Sequence, residues 1–293
     1  MNAEDIERLK AHVAELEQQL HVTKAILKRA ESTQPAARDG RNATASLPVG
    51  PSLHNLLLLA DSALPLGSFA YSSGLESFLA HNKGGNNLAL FQQFLQHSVR
   101  SMAHTAVPYV LAGFRDPLAL MELDNDLDAS TLCTVQRRAS VAQGRALLTV
   151  WEKAFATTSQ RQFSESRESA AALATFAADL KLAAVSSEAL PVSGHLAPLW
   201  GVVAVSLGLN LEEAGYVFLF NHSKAVISAG VRASVMGPYQ AQSFLAGEAL
   251  QKLVKESLEA VWFLQPEEAG QAVPSMDLWN GRHELLYSRI FNS

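Results

Sequence analysis

Apolar residues recur at helical spacing through most of this chain, three and four positions apart from Leu53 onward. One stripe that shows this period consists of Leu88, Phe91, Leu95, Val99 and Met102. Alanine-rich runs at 169–184 and 241–250 add residues of high helix propensity. The alternating pattern of half-buried strands is absent from the sequence. The pattern therefore predicts an all-α fold, with residues 53–293 as a single helical domain.

The first fifty residues follow a different pattern. Between residues 4 and 29, seven positions alternate in steps of three and four: Ile6, Leu9, Val13, Leu16, Leu20, Thr23 and Leu27. This heptad spacing predicts a short coiled coil, or a frayed amphipathic helix because Thr23 weakens the seam. Residues 31–52 are rich in proline, glycine and small polar residues, which predicts a flexible linker. We therefore expect a helical segment at 1–30, a linker at 31–52 and the helical domain at 53–293.

Composition and charge limit the classes of partner. The chain is 48% apolar and 17% charged, below the charged fraction of about a quarter that is usual in globular proteins. Such a chain either covers surface with partner proteins or has a large core of its own. The net charge of −5 disfavours binding to nucleic acid and anionic lipid. Cys133, the single cysteine, fits a reducing compartment, and the N-terminus has no apolar signal region, so we expect a cytoplasmic protein.

One stretch is long enough to cross a membrane. Residues 189–211 contain no aspartate, glutamate, lysine or arginine. Several prolines and glycines interrupt the stretch, however, together with a histidine and an asparagine. We therefore predict a loop followed by a buried helix, and no membrane span.

No pattern typical of an active site occurs in the sequence. It contains no glycine-rich phosphate loop, nucleophile elbow or HExxH metal motif. His97 and His104 share a helix face and could join a soft metal site, although the same spacing fits a solvent-facing stripe. Four acidic residues follow Pro117 without the glycine and glutamate of a calcium loop: Glu122, Asp124, Asp126 and Asp128. They predict a solvated helix end or turn, and we predict neither catalysis nor a bound cofactor.

Polar groups stand among small and aromatic residues in four internal segments. These segments are 61–76, 137–144, 193–201 and 228–242. Gly144 is a costly residue within a helix unless another backbone packs closely against it. Arg232 is the only charged residue between Lys224 and Glu248, so it is either paired inside the protein or directed at a partner's carboxylate.

The C-terminal tail, residues 277–293, is unusually rich in aromatic and aliphatic residues for a chain end. Exposure of all of these side chains to water would be unfavourable. The tail therefore either docks on its own domain or becomes ordered against another protein.

Five segments, in this order, resemble the UreF family of urease accessory proteins. They are the 61–76 stretch, the helix from Arg138 to Gly144, Gly194-His195, the stretch from Gly230 to Gln242, and the tail from His283 to Ser293. The resemblance spans nearly all of residues 53–293 and implies a non-enzymatic all-α protein that dimerises. It also implies three partners: UreD (also called UreH), the GTPase UreG and apo-urease. Together they would support GTP-dependent delivery of nickel to urease, with nickel handled transiently rather than kept as a cofactor.

The resemblance also implies functional positions in this chain. For partner binding or the route of nickel they are Tyr71, Glu76, Arg232, His283, Tyr287 and Arg289. Their implied roles are to recruit the GTPase, to line the nickel route and to complete the tail that faces UreD. A single carboxylate such as Glu76 cannot hold nickel tightly, so we expect only transient contact with the metal.

Two other classes of function compete with this interpretation. One is a coiled-coil scaffold or adaptor, in which the helical domain merely carries the 4–29 segment. The other is a small-molecule enzyme with a hidden pocket, which the missing catalytic constellation argues against.

Overall fold

The computed structural model describes residues 50–82, 86–158, 167–185 and 192–292, which contain eleven α-helices and no strand. The predicted coiled coil at 4–29 and most of the predicted linker lie outside these residues. The helices are α1 (Pro51–Ala60), α2 (Leu75–His81), α3 (Asn87–Arg115), α4 (Leu120–Ser130), α5 (Thr134–Val150), α6 (Arg167–Ala183), α7 (Leu196–Ser206), α8 (Leu211–Arg232), α9 (Pro238–Ala246), α10 (Glu248–Val261) and α11 (Ser275–His283).

The helical pattern of the sequence is confirmed, with two differences in boundaries. Helix α1 begins at Pro51, two residues before the predicted start of the domain, because proline is well suited to the first position of a helix. The alanine-rich run at 169–184 lies almost wholly in α6, as predicted. The run at 241–250 is divided between α9 and α10 by Gly247.

Helix α7 lies at the centre of the described domain. Nine of its eleven residues are buried, and it contains no charged side chain. It packs against α3, α4, α5, α6 and α8, so it is apolar on all sides. The prediction of a loop followed by a buried helix in residues 189–211 is therefore confirmed for the helix. None of the described helices combines the length and apolar composition needed to cross a bilayer.

The crossing of α3 and α7 depends on a glycine. A Cβ atom at Gly201 would lie 2.1 Å from the carbonyl oxygen of Val110, closer than any side chain tolerates. The two helix backbones are therefore in direct contact at Gly201, with no side chain between them. Nearby, the Trp200 indole N–H donates a 3.0 Å hydrogen bond to the carbonyl of Ala214 in α8, which ties α7 to its other neighbour.

Local capping fixes where the long helices begin. The Asn210 side chain accepts a 2.7 Å hydrogen bond from the Glu213 N–H, and the Glu213 carboxylate accepts one of 3.0 Å from the Asn210 N–H. This reciprocal capping box starts α8. The Asn86 side chain caps α3 in a similar way through two N–H groups of the first turn. Of these two helices, α8 ends at Arg232, a residue of the candidate site.

Candidate functional site

Left-handed turns shape the segment that leads into α2. Residues 61–74 connect α1 to α2, and Gly67 and Gly74 have φ angles of 72° and 84°, which favour glycine. A Cβ at Gly74 would also lie 3.0 Å from the backbone nitrogen of Asn280 in α11. The turn is therefore held close to the C-terminal helix. It places Glu76 in the first turn of α2.

The chain folds back onto this turn after α11. We call residues 284–292 the C-terminal segment. Its backbone meets the carboxylate of Glu76, which accepts hydrogen bonds from the N–H groups of Ile290 at 2.8 Å and Phe291 at 3.3 Å. Each carboxylate oxygen accepts one N–H, and the Glu76 side chain is only 14% exposed. Hydrogen bonds to an ionised acceptor are stronger than those between neutral groups.

The side chain of Phe291 anchors the C-terminal segment. It is 4% exposed, and the guanidinium carbon of Arg232 lies 4.4 Å from the centre of its ring, a cation–π contact. The Nε2 atom of His283 lies 3.0 Å from the Phe291 carbonyl oxygen, and it is the donor because a carbonyl only accepts. The next residue, Asn292, donates its N–H to the carbonyl of Ala70 at 2.8 Å.

The imidazole of His283 is enclosed beside Glu76. The side chain is fully buried, and its Nδ1 atom lies 3.9 Å from the nearer oxygen of Glu76. Within the described ranges this nitrogen has no hydrogen-bond partner. Arg232 is exposed at the surface, but partial burial against Phe291 lowers its pKa, although a guanidinium remains protonated in proteins. One carboxylate, one guanidinium and one imidazole therefore contact the same residue, Phe291.

Two arginines bind the outer edge of the C-terminal segment. Arg138 of α5 forms a salt bridge with Glu284, and its Nη2 atom also lies 3.5 Å from the carbonyl oxygen of Asn292. Arg289 lies 3.7 Å from the other oxygen of Glu284. The hydrogen bond from Arg138 lowers the pKa of Glu284 below its usual value. Exposed ion pairs of this kind add little stability.

Three large side chains of the same segment face solvent. Leu285 is 77% exposed, Ile290 is 64% exposed, and Tyr287 is fully exposed. We call these three residues the tail surface. Apolar side chains that cluster at the surface are typical of a docking site for another protein.

The residues implied by the family resemblance lie in three places. The structure brings three of them together around Phe291: Glu76, Arg232 and His283. Tyr287 and Arg289 lie at the surface of the C-terminal segment, and Tyr71 lines a cavity. The tail was expected either to dock on its own domain or to become ordered against another protein. Its backbone docks on its own domain, whereas the side chains of the tail surface face solvent. For Arg232 the partner is internal, and it is an aromatic ring rather than a carboxylate.

The cavity has a volume of about 270 Å³. It is lined by Tyr71 and other residues of the 61–74 segment, and by residues of α3, α5 and α8. Lys224 of α8 reaches this wall, where its ammonium group donates to the carbonyl of Ala60. Burial lowers the pKa of Lys224, and the nearby carboxylate of Asp61 opposes this shift. The cavity is thus mainly apolar, with a single cation at its wall.

His222 also lines this cavity. Burial lowers its pKa from 6.5 to about 4, against the effect of a hydrogen bond with Ser98. The imidazole is therefore neutral at pH 7. Across the described ranges, no three or more histidine, cysteine, aspartate or glutamate side chains gather into a metal-binding group. The predicted pair His97 and His104 has no third ligand of these types there.

Sequence reasoning missed the most buried carboxylate among the residues that the structure describes. Asp124 of α4 is fully buried and accepts hydrogen bonds from three successive N–H groups. Those of Ser193 and His195 lie at 2.8 and 2.6 Å, and that of Gly194 lies at 3.0 Å from both carboxylate oxygens. The prediction of a solvated helix end is wrong for this residue, because the carboxylate binds the turn that starts α7.

We call the contact between α4 and residues 193–195 the Asp124 junction. Asp128 belongs to it as well. Its Oδ1 atom accepts hydrogen bonds of 3.0 Å from the Ser193 hydroxyl and from Nε2 of the buried His195. The other ring nitrogen of His195 lies 3.0 Å from the Ser140 hydroxyl. Partial burial raises the pKa of Asp128. The hydrogen bonds from His195 and Ser193 lower this pKa by a larger amount, so that the net shift is downward.

Two sequence signals pointed to this junction. Asp124 and Asp128 are four residues apart, so they share one face of α4. Gly144 is the second signal: a Cβ there would lie 2.2 Å from the carbonyl oxygen of Gly194. The close backbone contact expected for this glycine is confirmed.

Comparisons with known proteins give a consistent result. A model of the UreF family matches residues 86–249. A Schizosaccharomyces pombe protein named "Uncharacterized urease accessory protein UreF-like" is 38% identical over 82% of this chain and 97% of its own length. Urease accessory protein F of Oryza sativa subsp. indica is 30% identical over 82% of this chain and 85% of its own. Urease accessory protein UreF of Paenarthrobacter aurescens is 28% identical over 80% and 95%.

Proposed function

The chain belongs to the UreF family of urease accessory proteins, and from this premise we propose that it supports the delivery of nickel to urease. Members of the family are accessory proteins rather than enzymes, and so is this chain. In the proposed function it acts in the cytoplasm as a dimer, binds UreD and, with UreD, recruits the GTPase UreG to apo-urease. Nickel is the cargo of this assembly.

The observation that carries the proposal is the tail surface. Leu285, Tyr287 and Ile290 are exposed on a segment whose backbone is fixed by Glu76. Interfaces between proteins take most of their binding energy from a few residues, among which tyrosine is common. An apolar group on a fixed backbone also loses less conformational entropy on binding than one on a free chain end. We therefore propose that the tail surface binds UreD.

The remaining implied residues have roles around this surface. Arg289 belongs to the same segment and completes the edge that would face UreD. Tyr71 and Glu76 are assigned to recruitment of the GTPase by the family resemblance. Arg232 is assigned to the nickel route. Transient contact suits nickel transfer, since an intermediate carrier must release its metal.

Removal of residues 287–293 tests the proposal. We expect the shortened chain to lose co-purification with UreD, and to fail to restore urease activity in a strain that lacks its own UreF. Its helix content, measured by circular dichroism, should stay nearly unchanged because every described helix ends before residue 287. Binding of UreD at full strength would contradict the proposed interface. Unfolding of the domain would show that the tail is structural, and it would contradict the proposal as well.

A second experiment separates this function from a coiled-coil adaptor. The adaptor hypothesis depends on residues 4–29, so deletion of residues 1–49 removes the proposed adaptor element and leaves α1 intact. An accessory protein that acts through the helical domain should still activate urease after this deletion. Loss of urease activation in a stably folded deletion variant would favour the adaptor.

A further inference from the structure

We propose that Glu76, Arg232 and His283 form an internal receptor for Phe291, and that they act on a partner only by positioning the tail surface. This inference rests on the proposed function for the identity of the partner. The receptor itself rests on contacts within the chain. It changes the role of Glu76 from a direct contact of a partner or nickel to a positioning residue, and it gives the exposed Arg232 a contact within the chain.

The geometry of Glu76 is the first reason. Both of its oxygens accept N–H groups of the C-terminal segment, and its side chain is 14% exposed. A carboxylate in this state offers little surface to a second protein or to a metal. Direct contact with either would first require the C-terminal segment to leave.

The second reason is that three separate elements converge on one residue. Glu76 comes from α2 and binds the Phe291 N–H, whereas His283 ends α11 and binds its carbonyl oxygen. Arg232 ends α8 and covers the ring. Backbone donor, backbone acceptor and side chain of Phe291 are therefore each recognised by a different helix. Such convergence is typical of a binding site for an extended peptide.

The third reason is the contrast between Phe291 and its neighbours. Phe291 is 4% exposed, whereas Ile290 is 64% exposed and Tyr287 is fully exposed. The same short segment thus has one side chain directed inward and others directed outward. The inward residue fixes the segment, and the outward residues present a surface. Loss of the anchor should disorder this surface without removing any of its side chains.

The proposed anchor predicts that Glu76→Gln releases the C-terminal segment. A glutamine has only one acceptor oxygen. Its NH₂ group would lie opposite the second backbone N–H, and because both groups are donors they cannot form a hydrogen bond. We expect the backbone amides of residues 290–292 to exchange with deuterium at least about tenfold faster in the full-length variant than in the wild-type chain. Amides in the centre of α3 should exchange at the same rate in both.

Three further variants complete the exchange experiment. Phe291→Ala should accelerate the same amides about as much as Glu76→Gln. Phe291→Leu should have a smaller effect, since it keeps an apolar side chain but loses the ring beneath Arg232. Glu212→Gln, a change of the same type at an exposed position of α8, should have no effect. Wild-type exchange at residues 290–292 in both Glu76→Gln and Phe291→Ala would overturn the receptor.

Binding of UreD gives the second readout. If the anchor positions the tail surface, Glu76→Gln and Phe291→Ala should weaken UreD binding by similar factors, about tenfold or more. Faster exchange with unchanged UreD affinity would overturn the positioning role. If the wild-type chain itself fails to bind UreD, the proposed function fails, whereas the exchange rates still decide whether the receptor exists.

Discussion

Two carboxylates of this protein bind the backbone of a distant segment, and their surroundings differ. Asp124 accepts the N–H groups of residues 193–195, about seventy positions along the chain. Glu76 accepts those of Ile290 and Phe291, more than two hundred positions away. In each case the side-chain oxygens accept hydrogen bonds from backbone N–H groups outside the helices.

What covers each carboxylate makes the difference. Asp124 is fully buried, and the contact between Gly144 and Gly194 closes the backbones around it. Glu76 lies under a segment only a few residues wide, and most residues of that segment are exposed. The same kind of hydrogen bond can therefore stabilise the core of the domain, as at Asp124, or hold a surface segment that can detach, as at Glu76. We infer that the Asp124 junction determines whether the domain is folded, and that the Glu76 anchor determines only where the tail lies.

The largest expected effect is that of Asp124→Asn. The amide group would oppose backbone N–H groups in a buried site, so at least one donor would lose its partner. We expect the free energy of unfolding to fall by roughly 3 kcal/mol or more, measured by urea denaturation. Glu122→Gln, at an exposed position of the same helix, should change it by less than about 0.5 kcal/mol. Equal stability of the two variants would contradict a structural role for the Asp124 junction.

Acid should destabilise the body of the domain through His222. Its pKa in the folded state is about 4 instead of 6.5, so the unfolded chain binds the proton more readily. The contribution of the neutral imidazole is therefore fully present above pH 6.5 and is lost as the pH falls towards 4. We expect a decrease of roughly 2–3 kcal/mol in the free energy of unfolding across this range. Urea denaturation at several pH values measures it.

His222→Gln supplies the control for this pH dependence. Glutamine does not titrate and can still bond with Ser98, so the wild-type chain should lose more stability than this variant between pH 6.5 and 4.5. Asp128 acts in a lower range, because its pKa is shifted downward from 3.8 and its contribution is lost only as the pH falls through the shifted value. Parallel pH curves for wild type and variant would show that folding does not lower the pKa of His222.

The smallest effect on stability is expected for Tyr287→Ser. The side chain is fully exposed, so the melting temperature should change by no more than about 1 °C. Binding to UreD should nevertheless weaken about tenfold or more, as expected for an aromatic residue in an interface. Tyr239→Ser removes a tyrosine that is 89% exposed from α9, outside the tail, and should preserve binding. Equal affinities of the two variants would remove the tail surface from the interface.

The sequence predicted most of the fold because its signals are local. The charge-free stretch after residue 189 predicted the buried helix α7, and the alanine-rich run after residue 169 predicted α6. The Asp124 junction was missed because its donors come from a segment that is distant in sequence. In the same acidic run, Glu122 and Asp126 are exposed, so composition alone could not separate the two faces of α4. Helical spacing could have done so.

The candidate site was predictable in a similar, partial way. The family motifs pointed to Glu76, Arg232 and His283 as single positions, and they assigned separate roles to Glu76 and Arg232. They did not indicate that all three meet at Phe291. That relation depends on how the chain reverses after α11, which no periodic pattern in the sequence specifies.

The most direct test is to measure amide exchange in the free chain and in its complex with UreD. If the tail surface is the UreD-binding site, exchange at residues 285–290 should slow on complex formation, and residues 290–292 should remain protected by Glu76 and His283. Unchanged exchange throughout 285–292, with new protection only on another face of the domain, would contradict the account.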